Sequence, residues 1–526
     1  MNLRTWGAVA FAALLAAAAA CTDPSVAPKN GVTDANIWDD PNAYAEFLAK
    51  LYGGLIVTGQ IGPNGTPDLS NIDEGFSQWL RLYWYMQEVP TDEAVIGWGD
   101  PGLPELNRDN WSASNQMIQA MYYRVYFQVT LANEFLRQTK LDLLNARGVT
   151  SALKAQIQQY RAEARWLRAY AYWVGMDFFG GIPLVTEANP IGGPPPKQVT
   201  RDSVYNYVVR ELTAIRDSLP PATPVNYGRA TPVADDMLLA EVHLNAAVYT
   251  GTPQYDLALN AAQAVISSGL YALDPDYLHN FMADNNTSPE IIFAVILNAA
   301  YTQTWGGMTF LVHAAGGGSL PAAPYCVDAW WGGYRLKQQA YRLFLPGDVR
   351  GSFFWTADQT DSVIDISDFS SGIAAPKFSN RMSTGACGSQ AGMVDTDFPV
   401  FRLGEAYLIY AEAAVRTGTN LATALSYFNL LRERAYGNTS ADLSSATQMT
   451  LDTLLAERAR ELLFEGRRRT DLIRFGRFAG LNVTYNWAWK GGKSAGGAPI
   501  DAKYNLYPIP QNEITANPNL KQNPGY

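Results

Sequence analysis

Apolar residues recur at helical spacing in several long stretches of this chain. Leu167, Tyr170, Ala171, Val174 and Phe178 fall on one face, as do Leu403, Tyr407, Tyr410, Ala411 and Ala414, and again Leu451, Leu454, Leu455, Ala459 and Leu462. The spacing predicts long amphipathic helices there. Further helices are expected over 42–52, 112–138, 201–218, 234–249, 255–268 and 421–436. Strand signals are short and scattered, the clearest being the apolar run 291–296. Trp166 and Trp173 sit inside a strongly periodic helix and are expected in the core.

Two helix-turn-helix units look alike. Thr250-Gly251-Thr252 leads to Ala258-Leu259, and Thr417-Gly418-Thr419 leads to Ala424-Leu425, with offsets that differ by one residue. Each resembles a tetratricopeptide hairpin in a degenerate rather than regular array. Such hairpins cannot bury their apolar faces alone, so they must stack into a superhelix. The fold class expected is therefore mostly α, a tetratricopeptide-like superhelix with an irregular, loop-rich part. Periodicity fades over 298–399, where Gly and aromatic residues take over (Trp305-Gly306-Gly307, Gly316-Gly317-Gly318, Trp330-Trp331-Gly332-Gly333). A second stretch expected to be irregular, 59–111, carries Trp79, Trp84, Trp98 and Trp111. Long irregular segments in an ordered chain are usually functional.

The N-terminus reads as an address. Arg4 is followed by an apolar run ending in Ala18-Ala19-Ala20-Cys21, too short to span a bilayer and closed by small residues. Residues 1–20 are read as a signal peptide resembling the bacterial lipoprotein type, with Cys21 as the lipid anchor and 21–40 as a polar tether. Ala18 stands where Leu is most common, so ordinary cleavage leaving Cys21 unlipidated is the alternative. Export leaves Cys326 and Cys387 as an even pair in an oxidising compartment, and a disulfide is expected, with two separate thiols as the alternative.

Composition narrows the chemistry. With 39 Lys+Arg against 49 Asp+Glu, a charge of −10 and no basic block, the chain is not built for nucleic acid. Hydrophobic residues make up 48% of its 526 residues, enough for a large core. His243, His279 and His313 are its only histidines and match no zinc spacing, so neither metal nor cofactor is expected. Gly491-Gly492-Lys493-Ser494 resembles the end of a P-loop, but Trp487 occupies the position of its first glycine. Gly317-Gly318-Ser319-Leu320-Pro321 lacks the last glycine of a nucleophile elbow, and no HExxH helix occurs. Paired carboxylates of a glycoside hydrolase remain as the enzyme alternative. The densest charge cluster, Glu457 to Asp471, has the (i, i+3) and (i, i+4) spacings of ion pairs along a helix surface, Glu457 with Arg460 and Glu465 with Arg468 and Arg469. A ligand site for an anion is the lesser reading of the same arginines.

The cluster is also where a resemblance becomes specific. Arg460-Glu461-Leu462-Leu463-Phe464-Glu465-Gly466-Arg467-Arg468, continuing through Asp471-Leu472-Ile473-Arg474, is similar to the signature of the SusD/RagB family of outer-membrane lipoproteins. Tyr507-Pro508-Ile509-Pro510, Glu513-Ile514 and Asn517 through Tyr526 resemble that family's C-terminus. Phe398 to Leu403 with Ala411-Glu412-Ala413, Ala162 to Tyr170 with Phe179 to Val185, and Thr91-Asp92-Glu93 fit three more of its blocks. The resemblance implies a non-catalytic, surface-exposed, lipid-anchored protein of a Gram-negative outer membrane. It would cap a TonB-dependent (SusC-like) transporter as a lid and capture glycans or, in some members, peptides. It also implies an N-terminal part over 41–297 with the tetratricopeptide-like helices and a C-terminal part over 298–526, made of loops (298–399) and then helices with the terminal signature (400–526).

Aromatic rings suit the apolar faces of sugars, while polar side chains satisfy their hydroxyls. The expected ligand-facing residues are Trp98, in Gly97-Trp98-Gly99-Asp100, and Trp305, Tyr325, Trp330 and Trp331 from the irregular region 298–399. Arg460, Glu461, Glu465, Gly466, Arg467, Arg468 and Asp471 are expected to be structural.

Overall fold

The computed structural model describes residues 36–494 and 496–526. The signal peptide, Cys21 and most of the tether therefore lie outside the described residues. The chain is mostly helical. Its principal helices are α1 (Ala43–Ile56), α2 (Trp79–Glu88), α3 (Gln116–Gln138), α4 (Ser151–Phe179), α5 (Arg201–Ile215), α6 (Pro232–Leu244), α7 (Tyr255–Ser267), α8 (Gly307–His313), α9 (Leu403–Thr417), α10 (Leu421–Tyr436), α11 (Leu451–Glu461) and α12 (Arg468–Arg474).

Polar residues start them. Asn115 accepts from the Met117 and Ile118 amides ahead of α3, and Thr150, Thr200, Thr231 and Thr450 cap α4, α5, α6 and α11 in the same way. The two Thr-Gly-Thr signals are helix ends: Gly251 and Gly418 take φ of 77° and 72°, the left-handed conformation that stops a helix and that glycine adopts without penalty. Apolar faces then decide the packing. α4 lies against α3 and α5, α7 against α6 and α9, and α9 against α10 and α11, giving the stacked hairpins of a tetratricopeptide-like scaffold. Trp166 and Trp173 are buried within it. Among the described residues no helix is long and apolar enough to cross a membrane.

Two expectations about elements need correction. The stretch 234–249 is divided at Asn245, between α6 and a short helix at Ala246–Thr250. The stretch 59–111 is not irregular throughout, because α2 runs through it with every residue buried. Its polar residues Arg81, Gln87 and Glu88 are buried with interior partners, so no face of this helix meets solvent. Trp79, Trp84 and Trp111 consequently belong to the core.

Two small antiparallel strand pairs join distant segments: β1 (Ala94–Ile96) pairs with β3 (Tyr334–Leu336), and β2 (Ile291–Val295) with β4 (Phe398–Arg402). A disulfide between Cys326 and Cys387, with Cα atoms 5.4 Å apart, ties the loop-rich region across itself.

The arginine cluster does not lie on a helix surface as its spacing suggests. α11 ends at Glu461, Phe464 turns the chain with φ 63°, and α12 begins at Arg468, so Glu465 and Arg468 never share a helix face. Most of the cluster's charges reach inward to partners far away in sequence. Arg402 bonds Glu290, Glu461 and Glu465, each at 2.7 Å. Arg350 holds Asp348, Glu457 and Glu461, Arg467 holds Glu405, Arg468 holds Asp92, and Arg458 holds Asp471. The expected Glu457–Arg460 pair does form, at 2.6 Å. Burial alone would raise the Glu457 carboxyl, but Arg350 and Arg460 more than offset it and hold it at about 2. Gly466 closes the turn with φ 76°, and a Cβ there would lie 2.4 Å from Tyr83 Cε1.

Candidate ligand-binding site

The site grows outward from one buried cation. α2 carries Arg81 toward the loop-rich region, where its guanidinium sits 4.4 Å from the centroid of Phe310 on α8 and 5.6 Å from that of Trp98. Its Nε donates to Tyr85 Oη at 2.9 Å, its Nη1 donates to the Trp305 carbonyl at 3.2 Å, and Nη2 lies 4.0 Å from the Asp100 carboxylate. A guanidinium has a planar fork of donors and a face that stacks on rings, so a single residue orders all of these groups. Burial raises the Asp100 carboxyl above its ordinary range, an effect that Arg81 counters and Asp73 reinforces.

Trp305 is held at its backbone. Its amide donates to Glu74 Oε2 at 3.1 Å, and the adjacent Thr304 hydroxyl donates to Oε1 of the same carboxylate at 2.8 Å. With main chain fixed on both sides, the indole is left 39% exposed. Its ring centroid lies 6.2 Å from that of Trp331, which stacks on His313 at 4.8 Å. The Trp331 amide donates to the His313 carbonyl, fixing that stack to the end of α8. Burial pushes the His313 imidazole down, only partly countered by the Ala329 carbonyl and Asp328, so at neutral pH the stack involves an uncharged ring.

Of the five aromatic residues expected to face ligand, the structure thus gathers Trp98, Trp305 and Trp331 around Arg81 and α8. Tyr325 and Trp330 form a separate pair, edge to face at 5.1 Å, next to the Cys326 disulfide. All five are partly exposed. Pattern reading did not point to Arg81, whose only signal is a lone cation in the apolar run of α2. Nor did it point to Tyr301, a ring 86% exposed four positions before Trp305. The arrangement offers flat apolar faces beside a carboxylate and a guanidinium, a combination that suits a ligand with apolar C–H faces and peripheral hydroxyls. Among the described residues no group of His, Cys, Asp and Glu could hold a metal ion.

A family model described as the SusD family matches residues 329–526, and one described as starch-binding associating with outer membrane matches 89–268. The chain is 33% identical to the starch-binding protein SusD of Bacteroides thetaiotaomicron, over 93% of this chain and 94% of that one. A SusD-like carbohydrate-binding protein from Bacteroides fragilis superposes with a TM-score of 0.72 at 20% identity, covering 92% of this chain and 100% of that one. Surface glycan-binding protein A from Bacteroides thetaiotaomicron, solved in complex with laminarihexaose, superposes with a TM-score of 0.69 at 23% identity, covering 91% and 98%. With one full-length relative at 33% identity and the same scaffold in solved structures, this chain belongs to the SusD family.

Proposed function

We propose that this protein binds glycans at the bacterial surface without cleaving them, and that it acts as the lid of a TonB-dependent, SusC-like transporter of the outer membrane. The observation that carries the reading is the open aromatic face of Trp98, Trp305 and Trp331 set around the Arg81–Asp100 pair. It suits stacking against sugar rings. Two relatives support the ligand class: one is named for starch binding, and the other was solved with laminarihexaose. Cys21 would carry the lipid, the tether would give reach, and the helical scaffold would pack on the transporter. The division into parts over 41–297 and 298–526 belongs to the same reading.

The test is calorimetric titration of the purified protein with starch polysaccharide, laminarin and a mixed peptide digest, with reducing ends assayed in parallel. Saturable binding to a glucan without new reducing ends is expected. Binding to peptides alone would change the cargo, and release of reducing ends would overturn the non-catalytic assignment.

A further inference from the structure

A second depression lies away from the aromatic face. Residues 222–231, 270–271 and 286–292 converge around a hollow of about 700 Å³, within the range of roughly 300–1,000 Å³ common for ligand sites. Its floor is tyrosine. Tyr227 is fixed by its hydroxyl, which donates to Asp397 Oδ2 at 2.9 Å, and so presents a partly exposed ring in a constant orientation. Tyr271 contributes a second partly exposed ring beside Leu270, which is 57% exposed. The Asn286 amide is exposed at the rim and makes no side-chain hydrogen bond among the described residues. Two rings and a free amide are again the chemistry of sugar recognition.

A series of hollows leads from this one toward the loop that carries Trp305. Tyr227 also borders a smaller apolar hollow of about 330 Å³ that reaches Ile296 and Thr302. Ala49 is shared between that one and a third, of about 480 Å³, which reaches Tyr301 and Gln303. Trp305 follows two residues later. No charged side chain lines the first hollow. The cations along the way are already paired, Arg229 with Glu163 and Lys50 with Asp68.

From this series we infer that the Tyr227–Tyr271 hollow is a second carbohydrate subsite, and that one neutral polysaccharide chain runs from the aromatic face past Tyr301 into it. The inference rests on the glycan-binding reading above. A polyanionic glycan is disfavoured because the track offers no free cation. Two contacts on one chain raise the affinity for long ligands without strengthening either contact.

The experiment titrates the purified protein with maltooligosaccharides and amylose, and with laminarin oligosaccharides and laminarin. Wild type is compared with Asn286→Ala, Asn286→Trp and Tyr271→Ala. In the series that binds, the expected result is that wild-type affinity keeps rising with chain length, and that the variants lose at least about tenfold on the polymer while matching wild type on the shortest oligosaccharide that binds. Asn286 is exposed, so its two variants report even if Tyr271→Ala does not fold. Variants that bind polymer as tightly as wild type would overturn the second subsite and leave the aromatic site standing. Wild type silent to every glycan would overturn both.

Discussion

At the scale of single residues, burial decides what each charged or aromatic group does. Replacing Trp98 by Ala removes a ring that packs on Arg81 and Phe310, and should weaken glycan binding by about tenfold or more while changing the melting temperature little, as titration and thermal unfolding would show. Gly466→Ala should destabilise by about 1–3 kcal/mol, from the left-handed backbone and the contact with Tyr83, read from the denaturant midpoint. Glu88 gives a pH signature. Its Oε1 accepts from the Gly466 and Arg467 amides, and burial lifts the carboxyl from 4.5 to about 7 against those bonds and the hydrogen bond it shares with Glu93. A carboxyl raised in the folded state binds its proton more tightly there than when unfolded. That contribution is therefore complete below pH 4.5 and is lost as pH rises to about 7. Glu88→Gln should flatten this part of the stability profile. A profile as steep as wild type's between those pH values would contradict the assignment. The partly exposed loop position of Trp98 was legible in the sequence because small residues flank it. Arg81 was not, because nothing in an apolar run tells which way its one cation points.

At the scale of elements, amphipathic helices were legible wherever one face meets solvent. α4, α7, α9 and α10 fall close to where their periodicity places them, whereas α2 buries every residue, Arg81, Gln87 and Glu88 included, and turns no face to solvent. The Thr-Gly-Thr pairs marked true hairpins because a left-handed glycine ends the first helix of each. The arginine cluster misled in one respect. Its (i, i+4) spacing crosses a turn, and its partners Asp92, Arg350, Arg402 and Glu405 come from remote segments that spacing cannot reveal. The disulfide spans 61 residues of chain, and removing it by Cys326→Ser with Cys387→Ser should lower stability by about 4 kcal/mol in the chain-entropy model. Equal denaturant midpoints for the double variant and wild type would show that the loop region is held without it.

At the scale of the whole molecule, early and late segments of the chain interlock. β2 pairs with β4, β1 with β3, and the ion pairs Arg402–Glu290 and Arg468–Asp92 cross between them in the interior. Breaking one partner of such a buried pair typically costs about 3–5 kcal/mol, so the segments should unfold together. Calorimetry should show one transition, and two separable ones would contradict this. Rigid interlocking also presents the aromatic face as a preformed surface, which reduces the ordering cost of binding a flexible chain. The central claim is that this face captures glucan and releases no product. Its most direct test is titration of the intact protein with starch polysaccharide and laminarin, with reducing ends measured on the same samples. The account predicts saturable heat with one of them and a constant reducing-end count. No heat with any glycan, or a rising count, would contradict it.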